Sequence, residues 1–312
     1  MLQIFVNTKY DFVGKRRWFY IASVGAVVIS LLSIALHGGL NYGIDFTGGT
    51  LIQVRFDKPV TVEAVRGGLD RIQLGNAVIQ QFGDAQEYLI RLPQGEQKLD
   101  VLTKQVQGAL ATSHGGAVDI RRIEFVGPQV GRDLQLQALY AVLAGMAGIL
   151  IYVALRFDYR GGVVSILALA HDVIVTLGAL SVTNREISLS VLAALLTIVG
   201  YSINDTIVVF DRIRESRGRG GLRKGEGGLG GLINSALNQT LSRTLLTSFT
   251  TFLASFVLFL FGGEVLRDFA FALVIGVVTG TYSSVAAAAL ILDWETWSRG
   301  PARSGRKLPA KV

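Results

Sequence analysis

One carboxylate lies inside one of the most apolar parts of the chain. Asp205, preceded by Asn204, stands in the stretch Gly200–Glu215, which begins as a membrane span and ends in a row of basic residues. A carboxylate at bilayer depth costs roughly 2.5–3.5 kcal/mol on insertion scales. Ionisable groups inside membranes usually mark ion or proton pathways. We therefore interpret Asp205 as a proton-binding site, with Asn204 beside it.

A basic residue stands at a matching position in the next predicted span. Asp205 lies about five residues before the end of the fourth span at Phe210, and Arg243 follows soon after the start of the fifth at Leu241. At about 1.5 Å per residue, the two side chains reach a similar depth. Pairing would favour the ionised carboxylate, whereas apolar burial would favour the neutral one. We predict that Arg243 is the counter-charge of Asp205.

A second polar pair, His171-Asp172, lies about midway along the third predicted span. Asp172 either relays a proton or bonds a neighbouring helix, and the sequence leaves both roles open. Asp211, at the start of the basic row, is predicted to be a surface ion-pair partner. The fifth span also carries hydroxyl groups, which favour helix packing: Ser242, Thr244, Thr247, Ser248, Thr250 and Thr251.

Composition indicates a membrane protein. Of 312 residues, 50% are hydrophobic and 17% charged, where soluble domains carry about 25% charged residues. The mean hydropathy is +0.46. The net charge of +7 comes from basic residues beside the spans, so nucleic-acid binding is not expected. The absence of cysteine excludes disulfides and thiolate chemistry, and three histidines predict neither a metal site nor an organic cofactor.

Six segments are long enough to cross about 30 Å of hydrocarbon as helices. We predict spans at residues 18–37, Leu134–Leu155, Gly162–Thr183, Leu189–Phe210, Leu241–Phe261 and Phe269–Leu292. The first exceeds the ~7–15 apolar residues of a cleaved signal peptide, so we expect it to be retained. The last five form a predicted transmembrane region over residues 132–295.

Residues 38–131 have the composition of a soluble domain. Thr50–Phe56 alternates between apolar and polar side chains as a half-buried strand does. Gly83-Asp84 separates two short apolar runs and indicates a hairpin. The predicted order is β-α-β-β-α-β, a ferredoxin-like α+β fold. His114 is predicted to be a surface loop residue without a catalytic role.

The basic residues are distributed unequally between the two sides of the predicted spans. They concentrate in residues 1–17, in two loops and in the tail 296–312. By the positive-inside rule both termini are cytoplasmic, and the ferredoxin-like domain lies outside. The loop 215–231 is basic and then Gly-rich, which predicts flexibility, and it lacks the glycine-lysine pattern of a phosphate-binding loop.

Five ordered motifs resemble those of the SecF family, membrane subunits of the bacterial Sec protein-translocation machinery. The resemblance extends from about residue 10 to residue 295. Its motifs are Gly43-Ile44-Asp45-Phe46-Thr47-Gly48-Gly49, Phe125-Val126-Gly127-Pro128, Ala170-His171-Asp172, the stretch from Gly200-Tyr201-Ser202-Ile203-Asn204-Asp205-Thr206 to Arg212, and Gln239-Thr240-Leu241-Ser242-Arg243-Thr244. Within that family, the functional intramembrane carboxylate and arginine match Asp205 and Arg243.

The resemblance implies a partner protein and an energy source. It predicts half of an RND-type transporter bundle in the cytoplasmic (inner) membrane, with SecD supplying the other six-span half. The partners expected are SecD, the SecYEG channel with SecA, the translocating preprotein, and YajC and YidC. The chain would be a transport component without enzymatic activity, and protons would be the coupling ion.

Two glycine-containing segments flank the outer domain. Their residues are Gly43, Asp45, Gly48, Gly49, Gly127 and Pro128. They are either hinges that transmit motion or tight turns that dock the domain on the membrane, and both readings remain open. Two other functions also remain open. One is half of a small-molecule efflux transporter, and the other is a structural subunit in which Asp205 and Arg243 hold helices together.

Overall fold

The computed structural model describes residues 8–93, 95, 98–218 and 228–299. It confirms a multi-pass helical membrane protein, because six of its helices are long and apolar enough to span a bilayer. These helices are α1 (Arg16–Leu36), α5 (Pro128–Arg156), α6 (Tyr159–Val182), α7 (Leu189–Gly218), α8 (Gly228–Phe261) and α9 (Gly263–Arg299). The chain divides into two compact units, Tyr42–Ala141 and the segments Met1–Asn41 with Val142–Val312.

The unit Tyr42–Ala141 has the predicted ferredoxin-like fold. Its elements are α2 (Ile44–Thr47), β1 (Gly49–Phe56), α3 (Val62–Asp70), β2 (Val78–Gln81), β3 (Glu87–Leu92), α4 (Leu99–His114) and β4 (Val118–Val126). The strand order is β2-β3-β1-β4, and the three neighbouring pairs are antiparallel. The alternating side chains of β1 are buried against α3 and α4, as their spacing predicts.

A bulge explains the irregular spacing of apolar residues in β4. Gln53 of β1 pairs with Arg122, but the next residue, Val54, pairs with Ile120. Arg121 is therefore the extra residue of a β-bulge. Without the bulge, residues three apart would face opposite sides of the sheet. With it, Ile120 and Ile123 both lie opposite the inward-facing residues of β1.

The prediction for His114 is wrong in its location. The residue ends α4 and does not lie in a loop. Its Nε2 is 3.0 Å from Asp57 Oδ1, and its ring stands edge-on to Phe56 with centroids 5.3 Å apart. Gly115, at φ +70°, ends the helix in the left-handed conformation that glycine favours. The helix thus ends at His114, whose ring packs against β1.

Close contacts at glycines organise the helical bundle. α9 packs against α6, α7 and α8, and α1 packs against α6. Gly276 and Gly280 stand one turn apart on α9 and face Ile198 and Ser202 of α7. A Cβ at Gly276 would lie 2.3 Å from Ile198 side-chain atoms, and one at Gly280 would lie 3.2 Å from Ser202 Cβ. This small-xxx-small pattern lets the two backbones approach closely.

Three helices run past their predicted ends. α7 continues to Gly218 and α8 begins at Gly228, so the predicted loop 215–231 is helical at both margins. α9 continues to Arg299, beyond the predicted start of the tail at 296. These ends stay helical because their apolar side chains pack on one another in a shared core cluster. The flexibility predicted for the rest of the loop and tail concerns residues 219–227 and 300–312, which lie outside the described part.

The contact at Gly276 gives a stability prediction. In Gly276→Leu the new side chain overlaps Ile198, and overpacking of this kind costs about 1–3 kcal/mol. We expect a lower melting temperature for the purified protein in detergent. Gly25→Leu on α1 is the matched control, because no atom lies within 4 Å of a Cβ there. Equal melting temperatures for the two variants would contradict the close contact.

Candidate functional site

Three carboxylates are buried in the described part of the helical bundle, Asp172, Asp205 and Glu295, and the first is fully bonded. Asp172 of α6 is 1% exposed. Its Oδ2 accepts hydrogen bonds from Ser202 Oγ of α7 at 2.5 Å and from Ser283 Oγ of α9 at 2.8 Å. Its Oδ1 lies 2.9 Å from His171 Nδ1. These contacts bond Asp172 to two neighbouring helices, which is one of the two roles that the sequence left open, and the relay role stays a prediction.

The second carboxylate, Asp205 of α7, is buried with little bonding. It is 3% exposed, and its Oδ2 has no hydrogen-bond partner in the described part of the chain. The groups that act on it are Thr244 and Ser248 of α8 and the charge of Arg243. Thr244 Oγ1 is also buried without a hydrogen bond of acceptable geometry. The carboxyl group is thus close to hydroxyl groups that do not engage it fully.

Arg243 lies close enough to Asp205 for its charge to act on the carboxylate, and its role as the counter-charge stays a prediction. Among the described residues, no ion pair within 4.0 Å joins the two side chains. The neighbouring residue on α8, Thr244, is buried at the carboxylate, whereas Arg243 is exposed. Successive residues on a helix point about 100° apart, so Thr244 and Arg243 cannot both face α7 directly. The guanidinium instead lines an open groove.

That groove has a volume of about 750 Å³ and lies between α7 and α8. Asn204 lines it together with Arg243, and both are exposed. Towards the end of α7 it is lined by Arg212 and Glu215, whose Nη1 and Oε2 atoms are 2.5 Å apart. The groove therefore connects the level of Asp205 with the arginine-rich end of the bundle.

A group of hydroxyls links three helices beside Asp205. Ser248 Oγ of α8 is 2.9 Å from Tyr201 Oη of α7 and 2.7 Å from Thr281 Oγ1 of α9. Sequence reasoning treated Ser248 as a packing residue and did not assign Tyr201 or Thr281 to the site. Ser202 and Ser283, which hold Asp172, were missed as well. Tyr201 and Ser202 belong to the motif that contains Asp205, which was the available signal.

Asp211 forms the surface ion pair that was predicted for it. Its carboxylate binds the guanidinium of Arg156, the last residue of α5. The pair joins α5 to α7 at the arginine-rich end of the bundle. Asp211 also lines the groove below Asn204.

The first glycine motif forms a tight turn in the ferredoxin-like unit. Gly43 precedes α2, and Asp45 stands in the first turn of that helix. Gly48 and Gly49 follow with φ values of +68° and +115°. Side chains rarely adopt such angles, which accounts for two successive glycines. Gln135 of α5 donates a hydrogen bond to the backbone carbonyl of Phe46 in this turn.

The second motif packs on the first. Pro128 is the first residue of α5, a position that suits its fixed φ and missing N–H. The carbonyl of Gly127 accepts the hydrogen bond from Gly131 N at 2.9 Å. A Cβ at Gly131 would lie 3.5 Å from Gly48 N, so the two motifs are in contact. This geometry corresponds to the tight-turn reading, and the hinge reading remains a prediction.

Known protein families match most of the chain. Residues 106–297 match the family described as "Protein export membrane protein SecD/SecF, C-terminal". Residues 35–60, which contain Gly48-Gly49, match the "SecD/SecF GG Motif".

Curated relatives match over nearly their whole length. The protein translocase subunit SecF of Calditerrivibrio nitroreducens is 46% identical, over 89% of this chain and 91% of its own. That of Magnetococcus marinus is 46% identical, over 96% of each chain.

Solved structures show the same architecture within a longer chain. The crystal structure of SecDF, a translocon-associated membrane protein from Thermus thermophilus, has a TM-score of 0.80 and 41% identity, over 93% of this chain and 39% of its own. A second SecDF structure, in a super-membrane-facing form, has a TM-score of 0.64 and 37% identity. Our chain thus spans about two fifths of the SecDF chain. The two curated relatives are matched over 91% and 96% of their lengths. The chain therefore belongs to the SecF family of protein-export membrane proteins.

Proposed function

We propose that this chain is the SecF-type subunit of a protein-export complex in the cytoplasmic membrane, with both termini inside. In this proposal Asp205 binds and releases a proton, and the proton-motive force thereby drives movement that promotes the late translocation of a preprotein across the membrane. The chain acts as a transport component rather than an enzyme. Family membership supports the export role, and the surroundings of Asp205 support the proton role.

The observation that carries the proton role is the incomplete bonding of Asp205. An ionised carboxylate buried without partners is costly, and protein groups in this situation commonly neutralise by binding a proton. Asp172, at similar burial, has three bonded contacts and no such need. We therefore assign the proton to Asp205 and a structural role to Asp172 and His171.

Arg243 and Asn204 stabilise the site in our proposal when Asp205 is ionised. When Asp205 is ionised, the exposed guanidinium of Arg243 can move from the groove towards it, because the arginine side chain is long and flexible. Protonation removes that attraction and returns Arg243 to the groove. Asn204, which lines the same groove, is suited to hold water between Asp205 and the cytoplasmic side.

The available energy sets the scale of each step. One charge that crosses 100 mV releases about 2.3 kcal/mol, which biases a two-state equilibrium about fiftyfold. This amount suffices to select between two helix arrangements. Repeated cycles are needed to move a polypeptide over a long distance.

SecD is the proposed main partner. The polar residues Arg243, Thr247 and Thr250 are exposed on α8, within the stretch Leu241–Phe261 whose other exposed residues are apolar. Lipid is a poor environment for an exposed arginine and threonines, so a second helical bundle is expected to cover them. Our chain covers 39% of the SecDF chain, and the rest of that chain is long enough to form such a bundle. SecYEG with SecA, and YajC and YidC, are the further partners that we propose.

A purely structural role for this site is the main alternative. Static helix contacts between Asp205 and Arg243 would require the direct pair, which is not present among the described residues. Asp172 fits that structural description better than Asp205 does. A small-molecule efflux function remains the second alternative, and none of our observations favours it.

Asp205→Asn tests the proton role. Asparagine has nearly the same shape but cannot ionise, so we expect normal protein levels with loss of export that responds to the proton gradient. The measurement is the rate of preprotein translocation in membrane vesicles, with and without an ionophore. Asp100→Asn is the control, because it removes an exposed carboxylate of α4, outside the helical bundle. An unchanged ionophore response in Asp205→Asn would refute the assignment.

Arg243→Gln separates coupling from stability. The side chain is exposed and has no ion pair in the described structure. We therefore expect the free energy of unfolding to stay within about 0.5 kcal/mol of the parent's, with a similar melting temperature. Gradient-dependent translocation should nevertheless fall to the level without a gradient. Loss of folded protein together with loss of export would instead indicate a structural role.

Asp172 should behave differently from Asp205. Asp172→Ala leaves the hydroxyls of Ser202 and Ser283 without their acceptor, which costs about 1–3 kcal/mol and lowers the melting temperature. Asp172→Asn keeps one acceptor oxygen, and we expect gradient-dependent export to persist. A stable Asp172→Asn protein without that export would show that Asp172 relays protons.

A further inference from the structure

A second polar cavity lies at the arginine-rich end of the bundle, away from Asp172 and Asp205. Its volume is about 430 Å³, and it is lined by the turn between α5 and α6 together with α7 and α9. Arg217, on its wall, follows Asp205 by twelve residues on α7, or about 18 Å along the helix axis. No step of the proton mechanism uses this cavity.

The cavity contains more positive charge than its own carboxylates neutralise. Four arginines line it, Arg156, Arg160, Arg214 and Arg217, and so do three carboxylates, Asp158, Asp211 and Glu295. One positive charge is left over. This balance matches a ligand with a single negative charge, such as a phosphodiester.

Several of the guanidinium groups have N–H groups that no ion pair occupies. Arg156 is paired with Asp211. Arg160 and Arg214 form no ion pair among the described residues. Arg217 Nη2 lies 2.6 Å from Glu295 Oε1, yet neither its Nε nor its Nη2 has a hydrogen bond of acceptable geometry. Unpaired arginine donors around a cavity are well suited to phosphate oxygens.

The start of α6 adds to the attraction for an anion. Arg160 and Gly161 lie in the first turn of this long helix, and both line the cavity. The N-terminal turn of a helix carries a partial positive charge. The one carboxylate there, Asp158, already caps the helix by accepting a hydrogen bond from Gly161 N at 3.3 Å.

The rest of the lining is apolar, and aromatic residues stand beside it. Phe157 and Phe210 form part of the wall, with ring centroids 5.4 Å apart, and Leu155 beside them is 84% exposed at the edge of the bundle. The rings of Tyr159 and Trp294 pack edge to face next to the cavity, with their centroids 6.1 Å apart. Aromatic residues of this kind concentrate at the headgroup level of membranes.

We propose that this cavity binds an anionic phospholipid, with the phosphate held by Arg160, Arg214 and Arg217 and the glycerol and acyl carbons against the apolar wall. Basic pockets between helix ends on the cytoplasmic side are a known means of lipid recognition. Phosphatidylglycerol, with one net negative charge, matches the charge balance. Phosphatidylethanolamine carries an additional ammonium group, which the unpaired arginines would repel.

Native mass spectrometry of the full-length chain in mild detergent tests this proposal. The delipidated protein is mixed with phosphatidylglycerol and phosphatidylethanolamine in equal amounts, and bound lipid is counted. We expect one phosphatidylglycerol to bind in preference to phosphatidylethanolamine. Arg160→Gln should weaken that binding about tenfold, as loss of one charge-assisted hydrogen bond does. Arg267→Gln, at the other end of the bundle, should leave it unchanged.

Other outcomes would overturn the lipid proposal. Equal binding of both lipids would indicate unspecific annular lipid. Displacement of phosphatidylglycerol by millimolar inorganic phosphate would indicate a site for a free anion. Binding unchanged in both Arg160→Gln and Arg214→Gln would place the lipid elsewhere. An unaltered melting temperature without lipid verifies that each variant is folded. If Arg160→Gln fails this check, Arg214→Gln decides the question alone.

Discussion

The free-energy cost of burying a carboxylate shapes this bundle. Lipid and packed side chains offer no water, so each buried carboxylate must be hydrogen-bonded, paired or protonated. Asp172 meets the requirement through hydroxyls on two neighbouring helices and through His171. Asp205 does not meet it with the groups around it. The same physical constraint thus gives one carboxylate a fixed position and, in our proposal, leaves the other dependent on a proton.

Close helix contacts make this difference possible. Gly280 of α9 brings its helix against Ser202 of α7, and Ser283 lies one turn further on. Both serines then reach Asp172. Three residues after Ser202, Asp205 faces α8, where Thr244 and Ser248 provide weaker contacts. A shift of α8 relative to α7 would therefore change the surroundings of Asp205 while those of Asp172 are retained.

Much of the fold could be predicted from local sequence patterns. Span length identified six helices, and two-residue and helical periodicities identified the ferredoxin-like order, because both signals come from burial of one face. Helix ends were predicted less well. The ends of α7 and α8 are held by tertiary packing of Leu232, Ile233 and Ile213, which hydropathy does not register. His114 was predicted to lie in a loop, whereas the helix continues to His114 and ends at the left-handed Gly115.

At the site, sequence identified the charged residues but not their geometry. Asp205 and Arg243 stood out because charge is costly in a span, and similar depth suggested a direct pair. Depth alone does not fix the direction in which a side chain points. On α8, Thr244 rather than Arg243 faces α7. Hydroxyl residues such as Ser283 gave no signal, since threonine and serine are common in membrane helices. Their role depends on which helices become neighbours.

We propose that Asp205, and not Asp172, exchanges a proton. Difference infrared spectroscopy of the reconstituted protein, titrated through the physiological pH range, measures this directly through the carbonyl stretch of a protonated carboxylic acid. We predict a titrating band that is absent in Asp205→Asn and retained in Asp172→Asn. A titrating band that survives in Asp205→Asn and disappears in Asp172→Asn would contradict the account.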